Sequence, residues 1–368
     1  MTRDQQILEW YQHFHTNAEI SWKEIKTTNK LAQIMEDLGI HYRTFEDVTG
    51  LVAEIGDGEE VVALRADIDA LWQEVNGSYQ ANHSCGHDAN MAMVLGALLE
   101  LKEEKFNKTL RFIFQPAEEK GNGANAMIDR GVVDGVTHLF GVHLRPAEEL
   151  KYAKFSSAIH HGAAMFLQGK IVGVDAHGAR PHQGKNSIDV LVAIHQMLKT
   201  VYYSPFESHS VKMTNMHAGG DSLNIIPGQA TFAIDARAQK NHVLEEMKEQ
   251  LERKLRAIGQ LFDVTIEWEW QDITPGAEVS TEAAELARQG IADVIDEADL
   301  EPEIHTSGSD DFHVYTIRRP DVKAAMIGVG ANMTHGLHHP EMAFDTTILP
   351  QAAKVLASVM RHAANSHK

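Results

Sequence analysis

The chain has 368 residues, 43% of them hydrophobic and 23% charged, with only ten prolines; that length and composition suit two packed domains and argue against extended disorder. Thirty-three basic against 52 acidic residues leave a formal charge of −19, which argues against a nucleic-acid partner, because phosphate binding needs a basic face, and against anionic membranes. The opening M-T-R-D-Q-Q-I-L-E-W has no apolar signal core, no window approaches eighteen consecutive apolar residues, and one cysteine, Cys85, cannot form an intramolecular disulfide, so the expectation is a cytoplasmic protein with a reduced thiol and no membrane span.

In chain order, residues 4–39 predict helix, with Ile7, Trp10, Tyr11 and Phe14, then Leu31, Ile34, Met35 and Leu38 at helical spacing and Gly39 as the stop. Residues 48–67 hold two short β-like runs around a Gly-Asp-Gly turn. Asp88 is placed to cap an amphipathic helix over A-N-M-A-M-V-L-G-A-L-L-E-L-K. L-R-F-I-F-Q-P (110–116) is a nearly continuous apolar run, as in a buried parallel strand, and G-A-N-A-M-I-D-R-G (123–131) is a short helix closed by Gly131. V-T-H-L-F-G-V-H is the next buried strand, ending on His143.

The middle of the chain has another texture. A small-residue strand (169–177), a helix (187–200), alternating strands (211–218 and 230–238), an amphipathic helix (241–258) and a further strand (262–270) form a compact α+β unit of about 110 residues. After about residue 275 the α/β texture resumes. The fold expected is therefore an α/β domain, with a mostly parallel sheet and helices on both faces, interrupted by an inserted α+β domain: catalytic domain 1–163, insertion 164–274, catalytic domain again 275–368.

Four places offer metal ligands. Cys85 and His87 stand two apart, so an extended or loop backbone points both the same way. Glu118 and Glu119 directly follow the strand 110–116, His143 ends its own strand, and His335, His338 and His339 lie in T-H-G-L-H-H-P. Each group sits at or just past the carboxyl end of a predicted buried strand, the rim where open parallel sheets bind ligands. A thiolate, imidazoles and a carboxylate suit a borderline divalent ion such as Zn, Mn, Co or Ni, and adjacent glutamates invite one to coordinate while the other acts as a general base. Taken singly, each group has a plain explanation, as a buried thiol, a solvated acidic pair or a hydrogen-bonded histidine; their joint placement at strand ends favours the metal site.

At this point the sequence resembles a known family. H-S-C-G-H-D (83–88), Q-P-A-E-E (115–119), G-V-H-L-R-P (141–146), H-G-A-R-P-H (177–182), N-I-I-P (224–227), G-S-D-D-F (308–312), L-H-H-P (337–340) and R-A-D-I-D-A-L (65–71) are similar, over nearly the whole chain, to the motifs of the amidohydrolase branch of the aminoacylase/carboxypeptidase G metallohydrolases. The resemblance implies a two-metal α/β catalytic domain and an inserted ferredoxin-like lid that also serves homodimerisation. It implies hydrolysis of the amide bond of N-acyl amino acids or related small conjugates. Carried over residue by residue, it makes Cys85, His87, Glu119, His143 and His338 the ligands of two divalent ions and Glu118 the general base. His338 is preferred over His339 because it stands two places before Pro340. Asp69 and Asp88 match acidic positions that orient ligands. His177 matches a lid histidine that polarises the scissile carbonyl, in cis or from a partner subunit, and Asn224 and Arg237 match groups holding the substrate carboxylate. Trp72 stands where the family has proline, and P-E-M-A-F-D replaces the usual end of the last motif. Rival readings are a dipeptidase or carboxypeptidase-type metallopeptidase on the same site, a non-catalytic metal- or ligand-binding protein, and a thiol hydrolase built on Cys85.

Overall fold

The computed structural model describes residues 1–366, apart from the side chain of Asp272. The chain divides into two compact units. One comprises Met1–His160, Glu278–His305 and the chain from Asp310 onward; the other comprises His161–Ala277 and Thr306–Ser309.

The first unit is built on an eight-stranded sheet. Its strand order is His41–Thr44, Leu51–Ile55, Thr109–Gln115, Val61–Asp67, Val136–Pro146, Lys323–Met333, Phe155–Ser156 and Leu300–Glu301. The four middle strands, from Thr109–Gln115 to Lys323–Met333, run parallel, as their apolar runs predict. The period of two in a strand shows directly in Val61–Asp67. Val62, Leu64 and Ala66 join one core with helices Arg3–Thr16, His87–Leu101 and Leu349–Asn365, whereas Val61 and Ala63 join a second core with Ala124, Met127, Phe312 and Tyr315. The next residues on that second face are Arg65 and Asp67, both fully buried.

Two local expectations need correction. Asp88 does not cap its helix: Gly86, at φ 86°, is the N-cap, and Asp88 lies in the first turn with its carboxylate accepting the Ala89 N–H. The helix is not amphipathic either, because every residue of His87–Leu101 except Glu100 is buried, with helices Arg3–Thr16 and Leu349–Asn365 and the strand Val61–Asp67 against it. A helix enclosed on all sides keeps no polar stripe. His143 also lies inside its strand, which continues to Pro146.

The second unit is a four-stranded antiparallel sheet in the order His209–Ala218, Gln229–Ala238, Ala163–Val172, Thr265–Thr274. Helices Ser187–Leu198 and Asn241–Phe262 share its core. The chain order βαββαβ with antiparallel pairing is the ferredoxin-like arrangement.

Packing in the first unit makes one stability test specific. A Cβ on Gly290, in helix Thr281–Ala292, would lie 2.5 Å from both Cα and N of Val359 in the neighbouring helix. Glycine to alanine in a helix interior ordinarily stabilises by about 1 kcal/mol. Here the clash is with backbone, so Gly290→Ala is expected to destabilise by roughly 1–3 kcal/mol and to lower the melting temperature in a calorimetric scan.

Candidate metal centre

The four parallel strands deliver their carboxyl ends to one region of the first unit. Asp69 follows Val61–Asp67, Glu118 and Glu119 follow Thr109–Gln115, His143 lies near the end of Val136–Pro146, and His338 lies in the loop after Lys323–Met333. Cys85 and His87 reach the same region from the start of helix His87–Leu101, after the hairpin Leu71–Val75/Ser78–Asn82.

Donor atoms converge there in overlapping triads. Cys85, His87 and His143 present ligand atoms within 4.8 Å of one another, as do Cys85, Glu119 and His338, and as do His87, Glu118 and Glu119. Cys85 Sγ is 3.5 Å from His143 Nε2, and His338 Nε2 is 3.3 Å from Glu119 Oε1. The loop turns His338 toward the cluster, whereas the rings of His335 and His339 stack on each other with centroids 4.3 Å apart.

The loop bearing the two glutamates is held by its backbone. Glu24, fully buried, accepts the Ala117 N–H (2.9 Å), Asp69 accepts the Glu118 and Glu119 N–H groups (3.1 Å each), and Asp311 accepts the Ala124 N–H (2.8 Å). Ala117 is left-handed, at φ 51°, a conformation that costs a residue with a Cβ and persists only where the surroundings over-determine it. Asp69 also accepts from Ser21 Oγ and receives His87 Nδ1, which lies 2.9 Å from the Asp69 carbonyl and 3.3 Å from its carboxylate. With Nδ1 engaged, the Nε2 lone pair of His87 is left for a cation. His143 is oriented in the same way, Nδ1 donating to the Leu144 carbonyl at 2.7 Å. Asp88, by contrast, contacts none of these ligands; its carboxylate pairs with His15 at 2.7 Å.

A fully buried network lies behind the cluster. Arg65 donates to Gln115 (2.9 Å), Asp67 (2.5 Å) and Asp311 (2.9 Å), and Gln115 donates in turn to Asp311. Asp67 Oδ2 is 3.7 Å from His87 Nε2. Arg65, Asp67, Gln115 and Asp311 stand in the motifs quoted above without an assigned role, and Glu24 stands outside them. A signal for two of them was present: Arg65, Asp67 and Asp69 recur at period two in an otherwise apolar strand.

The electrostatics are those of a largely buried acidic cluster. Burial, reinforced by Asp310, Glu119 and Asp311, pushes the Glu118 carboxyl well above its usual range. Burial and Glu119 push the Cys85 thiol up. Burial opposes a charged His87, but Asp67 and Cys85 outweigh it and raise that imidazole, while burial lowers His143. Among the described residues, His87 Nε2 and Glu119 Oε1 are buried with no hydrogen-bond partner; the carboxylate and imidazole neighbours approach without hydrogen-bond geometry. A buried polar atom left unpaired costs about 1–3 kcal/mol, more when charged. Orphaned donors of metal-ligand type, aimed at one another and at a thiol, are what a divalent cation satisfies, so the residues fit one.

The remaining predicted residues belong to the second unit. His177 and Asn224 meet in a small ribbon where Ala176–His177 pairs with Ile225–Ile226, and Gly178 N–H donates to the Asn224 carbonyl at 2.7 Å. The Ala179 N–H donates to His177 Nδ1. Both side chains are exposed. Arg237 lies on the four-stranded sheet, its Nε donating to Asp235 at 3.0 Å.

The model of peptidase family M20/M25/M40 matches residues 63–362. An N-acetylcysteine deacetylase of Bacillus subtilis is 28% identical over 96% of this chain and 95% of its own length, and thermostable carboxypeptidase 2 of Saccharolobus solfataricus is 29% identical over 85% of this chain and 84% of its own. A solved Bacillus subtilis structure, described as a dinuclear metal-binding peptidase of the M20 family, superposes with a TM-score of 0.85 over 99% of both chains at 24% identity. The family match covers well over half of the chain, including the strands and loops that carry the cluster, and the protein therefore belongs to peptidase family M20/M25/M40, as a metal-dependent hydrolase.

Proposed function

We propose that this hydrolase cleaves the amide bond of N-acyl amino acids or related small amide conjugates, with Glu118 as general base. The observation that carries the reading is the pairing of two adjacent glutamates in different surroundings. Both side chains are largely buried, but Glu119 lies 3.3 Å from His338 and joins the triad with Cys85, whereas Glu118 joins the triad with His87 and has its proton affinity raised by burial, Asp310 and Glu119. A carboxylate whose proton affinity is raised is better matched to taking a proton from water and returning it to a leaving amine.

In this reading Cys85, His87, Glu119, His143 and His338 hold two divalent ions of Zn, Mn, Co or Ni type, the thiolate biasing the site against Mg and Ca. Bound there, the ions supply an acidified water and polarise the scissile carbonyl. Glu118 accepts the proton as the water attacks and later donates it to the departing nitrogen. Asp69 fixes both glutamates through their backbone and sets the tautomer of His87. In the second unit we assign carbonyl polarisation to His177 and carboxylate binding to Asn224 and Arg237; the lid role and homodimerisation of that unit belong to the same proposal. The deacetylase relative acts, by its name, on an N-acetyl amino acid, which favours amidohydrolysis. The carboxypeptidase relative keeps a peptidase reading in play, and a substrate panel of N-acyl amino acids against dipeptides separates the two.

Glu118→Gln is expected to lower kcat by about a hundred- to ten-thousand-fold while leaving metal content unchanged by elemental analysis; near-normal kcat would refute the base assignment. Chelation should abolish turnover and re-addition of metal restore it. A thiol hydrolase would instead ignore chelators and die on alkylation with its metal retained.

Asp69→Asn tests the orienting role. Asparagine keeps the backbone carbonyl that receives His87 but has one acceptor oxygen in place of two, so the Glu118 and Glu119 N–H groups can no longer each have their own, and metal affinity by competition with a chromogenic chelator is expected to fall about ten- to a hundredfold. Unchanged affinity would remove Asp69 from the scheme.

A further inference from the structure

We infer that Gln73 is a positioning residue that locks the His338 backbone and thereby controls one of the two metal sites. The inference rests on the metal-site reading above and adds to it a residue that carries no ligand atom. His338 stands at φ 68°, in the left-handed region, where a residue with a Cβ is strained and needs its surroundings to hold it. Its peptide is gripped on both sides. The His338 N–H donates to the Ser84 carbonyl at 2.8 Å, and the His338 carbonyl accepts from Gln73 Nε2 at 2.8 Å. The other end of the same amide, Gln73 Oε1, accepts from Ser84 Oγ at 2.7 Å and from Asn82 Nδ2 at 3.2 Å. Asn82 Nδ2 also donates to the Pro340 carbonyl at 3.0 Å.

One side-chain amide thus staples two ligand-bearing segments that are far apart in sequence: residues 84–85, which end in the Cys85 thiol, and the loop that presents His338. The hairpin supplies the staple in a fixed place, since Gln73 is paired with Gln80 in its antiparallel register and is half-buried. The polarity of the contact matters. An amide donates to the His338 carbonyl and accepts from the serine at the same time; a carboxylate can do only the second. Of the overlapping triads, Cys85–Glu119–His338 depends on this contact, whereas Cys85–His87–His143 does not include the 338 loop. His338 belongs to the first of these triads and not to the second, so loss of Gln73 weakens chiefly the ion that His338 holds.

The test measures metal stoichiometry and affinity, by elemental analysis after desalting and by chelator competition with Zn and Mn, in the wild type, Gln73→Ala, Gln73→Glu and, as a control on the same hairpin, Gln80→Ala. Melting temperatures in excess chelator report whether the metal-free fold is intact. The wild type should bind two ions. Gln73→Ala and Gln73→Glu should keep the metal-free melting temperature, retain one ion at wild-type affinity and bind the second about ten- to a hundredfold more weakly, with Gln80→Ala like the wild type. Gln73→Glu keeps the serine contact but faces the His338 carbonyl with an acceptor, so its failure would assign the effect to the donated hydrogen bond. Two ions at unchanged affinity in both Gln73 variants would overturn the inference, as would equal weakening of both ions or a collapsed metal-free melting temperature, which would mark Gln73 as merely structural. A wild type that binds fewer than two ions would instead refute the two-metal reading itself.

Discussion

One buried carboxylate sets the order of the site. Asp69 stands two residues past the central strand Val61–Asp67; its carboxylate accepts from the backbone of Glu118 and Glu119 and from Ser21, and its backbone carbonyl receives the ring of His87. It is the point where a strand end, the glutamate loop and the start of a helix are registered against one another. No residue with one donor or acceptor could do this, and a longer side chain would carry rotamer freedom that loosens the register. The parallel sheet brings the segments into one neighbourhood; Asp69 converts neighbourhood into geometry.

That arrangement concentrates negative charge. Asp67, Asp69, Glu24, Glu118 and Asp311 are all buried within the same part of the first unit, and Arg65 is the one guanidinium fully buried with them. Burying ions is costly unless each is paired and hydrogen-bonded. The chain meets the cost in two ways. Backbone N–H groups of the glutamate loop satisfy Glu24, Asp69 and Asp311. Arg65 neutralises Asp67 and Asp311. Burial still tells on two of them: Asp311 is pushed up to about 7 despite Arg65, and Glu118 is pushed well above its usual range. The same low-dielectric surroundings that penalise unpaired carboxylates strengthen their hold on a divalent cation.

The parts of this design that follow periodicities were legible in the sequence. Apolar runs at 110–116 and 136–143 gave parallel strands because both faces are covered, and the α/β class followed. The parts that depend on enclosure were not. Helix His87–Leu101 looks amphipathic through Glu100 and a few small polar residues, yet only packing by three other elements decides that Asn90 and Asp88 are buried too. His143 seemed to end its strand because apolar character falters there, whereas the hydrogen-bonded ladder with Lys323–Met333 carries the strand three residues further. Arg65, Gln115 and Asp311 look unremarkable one at a time, and only the fold shows that the Arg65 guanidinium reaches a carboxylate 246 positions away. The choice among His335, His338 and His339 rests on a motif; in the structure His338 Nε2 lies 3.3 Å from Glu119 Oε1, while the rings of the other two stack together.

The acidity of the whole chain bears on what the site accepts. A net charge of −19 does not by itself repel an anionic substrate at close range, since exposed charges are screened beyond about 8 Å at physiological ionic strength. The local balance decides, and around the ligand cluster it is negative: carboxylates outnumber guanidinium groups, and the thiol adds to them on ionisation. An amide carbonyl would find no electrophile among these side chains alone, because Arg65 is consumed by Asp67, Gln115 and Asp311. Metal ions held at the cluster, as proposed, would offset that negative field and favour the developing negative charge of a hydrolytic transition state. Metal dependence is in this sense already written into the surplus of buried carboxylates, before any ligand is assigned.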